Sequence, residues 1–508
     1  MPAADSLGEK TGLGERIGLG EKIGRSGIEA GQVTLAGLRG ALSTGSLTSA
    51  ELTSFYLARI ARLNPALRAV ITVSPGAPAE AVASDVARAG GLAGGPLAGI
   101  PVLIKDNVAV AGLPATAGSP ALRESGSGDA FVVARLRAAG AVILGKANLS
   151  EWANFRSRPS SSGLSTLGGQ AVNPHGVGRS PSGSSSGSAI AIAAGLAPLA
   201  VGTETDGSIV SPAGACGVVG IKPTLGLVSR SGIVPISAAQ DTAGPMTVTV
   251  ADAAALLTVL AGADADDPAT DGAREHATDY TAFLDAAALD GARLGVWRGG
   301  SAPADAATLG VLDQALARLR GQGARITDPV ELAGIDLVGD PEVVALTHEF
   351  KHALNAYLAG LGGDHPADLA GLIAFNNENA AEVLEHFGQE LFEAAEATSG
   401  DLRDPAYREA RTAADRIARE ALDGALRGDR LDAVIALTGH PAWLTDHVLG
   451  DYHGWGTSTP AAVSGYPSVT VPAGRVSGLP VGMSFIGPAW SEPRLIALAH
   501  AFEIALVA

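Results

Sequence analysis

Residues 179–224 read RSPSGSSSGSAIAIAAGLAPLAVGTETDGSIVSPAGACGVVGIKPT. The segment opens as a Ser/Gly loop, continues as a helix of small residues, becomes an apolar strand and closes on a second glycine-containing turn. Glycine at this density lets one backbone approach another, or leaves N–H groups free to meet an anion. A flexible linker has similar Ser and Gly content, but a linker is not followed at once by apolar helix and strand patterns. A phosphate-binding loop needs Gly-Lys-Ser/Thr at its close, and none is present. Gly183-Ser184-Ser185-Ser186-Gly187 matches the G-x-S-x-G elbow of α/β-hydrolases, with Ser185 as nominal nucleophile. That elbow needs a preceding strand, and Asn173-Pro174-His175-Gly176 reads as a loop.

Outward from this segment, short apolar runs alternate with helical stretches. Strands are expected at 100–104, 141–144, 196–201, 294–297, 433–436 and 468–471, and helices at 131–139, 251–261, 311–319 and 494–506. Such alternation predicts an α/β fold with a mixed or parallel sheet. Thr48-x-x-Glu51 reads as a capping box. It starts a helix with Leu52, Phe55, Tyr56, Ile60 and Leu63 at helical spacing, closed by Pro65. The ordered domain is expected to begin near there. Residues 263–429 are more charged and more helical, which reads as an insertion or cap on one sheet-based domain. LGEKTG, LGERIG and LGEKIG follow one another from Leu7 to Gly24. Their glycines disfavour a helix, so residues 1–30 are expected to be a disordered tail on a domain spanning 31–508.

Composition limits the partners. Hydrophobic residues make up 46% of the 508-residue chain, enough for a large core. The net charge of −17 repels phosphate backbones, which argues against nucleic acid. A single cysteine, Cys216, excludes an intrachain disulfide. No apolar run is long enough to span a bilayer, and no basic start precedes an apolar stretch. A cytoplasmic protein without membrane contact, monomeric or homodimeric, is expected.

Several blocks together carry a specific likeness. Gly99-Ile100-Pro101-Val102-Leu103-Ile104-Lys105-Asp106-Asn107, Asn148-Leu149-Ser150-Glu151-Trp152-Ala153-Asn154-Phe155-Arg156, the 179–224 segment, Gln240-Asp241-Thr242-Ala243-Gly244-Pro245-Met246, Gly465-Tyr466-Pro467-Ser468 and Gly478-Leu479-Pro480-Val481-Gly482 follow in order. Together they resemble the amidase-signature family from about Gly40 to the end, in wording most similar to bacterial peptide amidases. The resemblance implies one large α/β domain, a mixed β-sheet covered by helices on both faces. It also implies hydrolysis of a primary amide, such as the C-terminal amide of a peptide, to a carboxylate and ammonia. By the same likeness Lys105 is the base, Ser184 the relay and Ser208 the nucleophile, with a cis peptide at the relay serine. Backbone N–H groups of Thr205, Asp206, Gly207 and Ser208 would hold the oxyanion, and no metal or organic cofactor is needed. The chemistry is coherent: a serine hydroxyl needs a base, and a lysine kept neutral by burial can be one. Lys105 ends an apolar run, and Asp106 would face the opposite way along a strand. The loop wording, Glu204, Asp206 and Val210 depart from common family usage and bear on substrate range.

Other residues have competing readings. His348-Glu349-Phe350-Lys351-His352 fits H-E-x-x-H, so a helix there would place both histidines on one face, as a zinc protease requires. Its surroundings resemble a peptide-amidase helix, which puts the histidines on a helix surface. Cys216 reads as a small core residue. Asn154 and Asp446 are candidate substrate contacts, Asp241 is either a contact or structural, and Arg179 is a candidate loop anchor. The alternative functions are an amidotransferase component that passes ammonia to a partner, an amidase for other small molecules and a non-catalytic binding protein.

Overall fold

A computed structural model describes residues 33–92, 94–452 and 454–507. The hexapeptide repeat lies outside the described residues. Eleven strands form one sheet: β1 (Val70–Val73), β2 (Pro101–Lys105), β3 (Val142–Ala147), β4 (Leu199–Glu204), β5 (Val219–Lys222), β6 (Thr242–Thr247), β7 (Arg293–Val296), β8 (Arg325–Thr327), β9 (Ala433–Leu437), β10 (Ser468–Val476) and β11 (Leu479–Ile486). Their spatial order is β1-β3-β2-β4-β6-β5-β10-β11-β9-β7-β8. β3, β2 and β4 run parallel, as do β9, β7 and β8. The pairings of β4 with β6 and of β6 with β5 are antiparallel, and so are the steps from β5 to β9. The sheet is therefore mixed.

The principal helices are α1 (Leu35–Thr44), α2 (Ser49–Leu67), α3 (Phe131–Ala138), α4 (Ser186–Ala193), α5 (Val210–Cys216), α6 (Val250–Leu260), α7 (Ala306–Gly321), α8 (Gly339–Gly360), α9 (Pro405–Gly428) and α10 (Glu492–Val507). They flank both faces of the sheet. In β9, Ile435 and Leu437 join the main core, whereas Val434 and Ala436 pack with Leu422 and Leu426 of α9 in a second cluster. Alternate side chains of one strand are thus buried on opposite sides, the pattern of a sheet covered twice. No described helix is long and apolar enough to cross a membrane.

Local sequence explains most boundaries. Thr48 accepts from the Glu51 N–H while the Glu51 carboxylate accepts from Thr48, completing the capping box of α2. Two expectations need correction at this end. α2 runs through Pro65 to Leu67 and stops where Arg68 takes φ 50°. The ordered fold also begins before Thr48, because Leu35, Leu38, Ala41 and Leu42 of α1 are buried and the Leu35 N–H donates to Asp252. The 263–429 stretch supplies β7, β8 and α7 to the sheet and its cover before the long helices α8 and α9, which pack on each other.

β6 shows how tertiary contact overrides local pattern. Its sequence, TAGPMT, contains a Gly and a Pro that disfavour a strand. It nonetheless lies between β4 and β5. A Cβ on Gly244 would collide with the Ile221 carbonyl oxygen, so only glycine lets these backbones come so close.

Candidate active site

The candidate site lies at the carboxyl ends of β2 and β4, where parallel strands of open α/β sheets commonly present ligand-binding residues. Lys105 is the last residue of β2 and fully buried. Its Nζ is 2.8 Å from Ser184 Oγ, 2.8 Å from Thr203 Oγ1 and 3.1 Å from the Thr203 carbonyl oxygen. Thr203 reaches it because β4 runs beside β2 in parallel. Asn107 Nδ2 donates to the same threonine hydroxyl at 3.0 Å. Burial is the main influence on Lys105 and lowers it to about 7, against the opposing pull of the Glu204 and Asp241 carboxylates. Asp106 turns the other way, as strand alternation requires. It accepts from the Thr116 hydroxyl and the Gly118 N–H, and pairs with buried Lys146 at 3.4 Å.

Ser184 follows a cis peptide bond from Gly183. The loop carrying it is tied to the second turn by the Ser185 N–H, which donates to the Ser208 carbonyl at 3.0 Å. Ser185 itself is fully buried; its hydroxyl donates to the Thr203 carbonyl and accepts from the Thr203 N–H. It is a brace between loop and strand, which removes the elbow reading.

Side chains hold the 204–208 turn from several directions. Glu204 Oε2 accepts from the Ile209 and Val210 N–H groups at 2.7 and 3.0 Å. Thr205 Oγ1 donates to Asp241 at 2.6 Å. Asp206 accepts from the Ser458 and Thr459 hydroxyls at 2.5 and 2.7 Å. Gly207 has φ 74°, and a Cβ there would lie 2.9 Å from both Ser211 Oγ and Ser458 Oγ. Both backbone conformation and space therefore demand glycine. Among the described residues, the backbone N–H groups of Thr205, Asp206, Gly207 and Ser208 find no protein acceptor. Buried N–H groups are normally paired, so a run of unpaired donors beside a serine is a site ready for a negatively charged oxygen.

A buried polar network backs this turn. Gln240 Nε2 donates to the Thr205 carbonyl at 3.3 Å and to Glu342 of α8 at 2.8 Å. Arg411 of α9 donates to Gln240 Oε1 at 2.9 Å and pairs with Glu349 through two bonds of 2.9 and 2.7 Å. Ser237 and Tyr407 also donate to Glu349. Burial, then the nearby Asp206 carboxylate, raises Glu342 to about 8.

Two cavities adjoin the turn, each lined by different residues of it. The smaller, ≈10 Å³, is lined by Ser184, Thr203, Thr205, Ser208, Asp241 and neighbours. The larger, ≈360 Å³, is lined on one side by Asn154, Ser182, Gly183, Asp206 and Gly207. On the other side stand His440, Trp443, Asp451, Tyr452 and Trp455. Asn154, a candidate substrate contact from the sequence, is thus part of the cavity lining. Asp446 is not among the residues lining this cavity: its carboxylate accepts from the Val448 and Leu449 N–H groups and shapes an outer loop. Asp451 is the carboxylate that lines the cavity, braced by the Ser162 N–H and Trp443 Nε1. Arg179 donates to the Ala442 carbonyl, and Asp241, raised to about 6 by burial, holds Thr205 from below. Cys216 is fully buried, and burial pushes its thiol up.

The H-E-x-x-H residues do lie on one helix, α8, but away from this chemistry. Glu349 is occupied by Arg411. His348 bonds the Val344 carbonyl and is buried beside Tyr407, not on the helix surface; His352 bonds the Gly400 carbonyl. Among the described residues, no group of three or more His, Cys, Asp or Glu side chains is placed to hold a metal ion.

Residues 51–496 match the family model described as Amidase. The chain belongs to the amidase family. This amidase is 41% identical to a probable amidase of Arabidopsis thaliana, over 93% of its own length and 90% of the plant chain. It is 36% identical to a glutamyl-tRNA(Gln) amidotransferase subunit of Symbiobacterium thermophilum, covering 90% of this chain and 94% of that one. Its fold superposes on the peptide amidase of Stenotrophomonas maltophilia with a TM-score of 0.87 and 48% identity, covering 94% and 97% of the two chains. The amidase is therefore a hydrolase of carbon–nitrogen bonds, built on a mixed sheet flanked by helices.

Proposed function

We propose that this amidase removes ammonia from primary amides, with the C-terminal amide of a peptide as its substrate, through Ser208, Ser184 and Lys105. The observation that carries the proposal is the inequality of the two cavities. A cavity of ≈10 Å³ is at the lower limit for one water molecule, and so for one –NH2 group or ammonia. The cavity of ≈360 Å³ beyond the turn has room for an acyl group of amino-acid size. A scissile carbonyl at the turn then directs its nitrogen inward and its acyl chain outward. A secondary amide would have to house its nitrogen substituent in the smaller cavity, which disfavours it.

The chemistry follows from the polar contacts. Neutral Lys105 donates its two N–H bonds to Thr203 and accepts the Ser184 proton. Ser184 accepts the proton of Ser208, whose oxygen attacks the carbonyl carbon. The unpaired N–H groups of 205–208 bind the resulting oxyanion, a contribution of about 3–4 kcal/mol for a single such donor in other hydrolases. The proton returns through Ser184 to the nitrogen, the C–N bond breaks and ammonia leaves. Water, activated by the same relay, hydrolyses the acyl-enzyme and restores Ser208.

The likeness to the amidotransferase favours a second reading, in which the ammonia passes to a partner. Stable co-purification with tRNA and a second protein separates the two. The primary test is ammonia release from a short peptide amide by wild type and by Ser208→Ala. Release by wild type alone is expected. Equal release by both overturns the assignment of Ser208.

A further inference from the structure

Resting on the reading as a peptide amidase, we propose that the segment 443–452, together with Val177, is a binding surface for the peptide residues upstream of the amide, and that it selects apolar ones. The larger cavity is rich in rings although aromatics form only 4% of the chain. His440 sits at the centre of this cluster, 4.8 Å from Trp443, 5.5 Å from Tyr452 and 6.0 Å from Trp455 between ring centroids. Aromatic side chains give large contact area at low entropic cost.

The rim continues this apolar character into solvent. Among the described residues, the three most exposed large apolar side chains are Val448 (86%), Leu449 (79%) and Val177 (71%). Leu444 and Tyr452 are exposed as well. These are not scattered. Residues 444–450 are bracketed by Trp443 and Asp451, which line the cavity. Val177 is brought alongside because the Thr445 N–H donates to the Gly178 carbonyl at 2.9 Å and the Ser180 N–H to the Trp443 carbonyl at 2.7 Å. Exposed apolar side chains gathered in one place mark a surface that is covered in use.

The occupant follows from continuity with the catalytic cavity. With the amide nitrogen in the inner cavity, as proposed above, the rest of the substrate extends through the outer one and across this rim. A one-residue amide fills the ring-lined cavity and stops there. The second and third residues of a longer peptide amide lie on Leu444, Val448 and Leu449.

The test uses full-length protein carrying Ser208→Ala, so that binding is read without turnover. Tryptophan fluorescence is titrated with N-acetyl-trileucinamide and with N-acetyl-triglycinamide. The leucine peptide is expected to bind about tenfold more tightly, a modest share of what burying apolar side chains provides. Adding Val448→Asp and Leu449→Asp, both on exposed positions, is expected to abolish that preference. Equal affinity for the two peptides, or a preference that survives the double change, overturns the proposal. Light scattering on the same samples covers the remaining occupant: a changed molecular mass with unchanged affinities assigns the patch to contact between copies of the chain, and the proposal falls. If the peptides bind as expected but wild type releases no ammonia, the failure belongs to the proposed reaction and not to this surface.

Discussion

The 203–208 turn and the 443–452 segment face the same cavity and are built on opposite principles. In the turn, Thr203, Glu204, Thr205 and Asp206 each commit their side chains to a fixed partner: Lys105, the start of α5, Asp241 and the Ser458–Thr459 pair. The backbone N–H groups of 205–208 stay free because side chains, together with the Ser185 N–H on the Ser208 carbonyl, hold the turn in place. In the outer segment the relation is inverted. Asp446 and Asp451 hold backbone N–H groups in place, and Leu444, Val448 and Leu449 are left without cover. The contrast separates two demands on one site. Transition-state stabilisation needs donors that do not move, and substrate breadth needs a surface whose side chains are free to adapt.

The largest expected effect lies at the inner end. Lys105→Met is expected to lower kcat/KM by ~10²–10⁴, the usual contribution of a general base. In wild type, kcat/KM for a neutral peptide amide should fall about tenfold per pH unit below about 7, where Lys105 takes up its proton, and be level above. A profile with no inflection near 7 would break the assignment of Lys105 as base. Next comes the support behind the turn. Arg411→Met leaves Glu349 buried without its cation, and chemical denaturation should report a loss of about 3–5 kcal/mol. A near-neutral result would mean that the turn stands without its backing network. The smallest effect belongs to the rim: Leu449→Asp should change stability by no more than ~0.5 kcal/mol in the same assay, because the side chain is exposed. A larger cost would show that the rim is part of the fold and would erase the contrast.

What the sequence made legible divides along similar lines. β2, β3, β9 and β10 stand where apolar runs predict them, within a few residues, because buried strands carry continuous apolar sequence. β6 escaped, since its Gly244 and Pro245 oppose local strand propensity and only its neighbours justify them. α1 escaped because its short stretch from Leu35 carries no cap signal as plain as that of α2. In the site, Lys105 and Ser184 are brought into contact, and Ser184 and Ser208 line one cavity. Thr203 and Asn107 were not singled out, although Asn107 lies two residues beyond Lys105 and Thr203 just before the second turn. Gln240, Arg411 and Glu349 are far apart in the chain, and their convergence is a property of packing. Sequence could not separate Asp446 from Asp451: two carboxylates five residues apart on one loop look alike, and only the fold decides that Asp451 lines the cavity while Asp446 caps the Val448 and Leu449 N–H groups.

The unequal cavities also have a historical consequence. Residues on the inner side brace one another, so a substitution at one disturbs the contacts of several. The outer rim carries none of that load. On the reading proposed above, changes at Leu444, Val448 and Leu449 can accumulate one at a time, shifting which amides are bound while the reaction is inherited untouched.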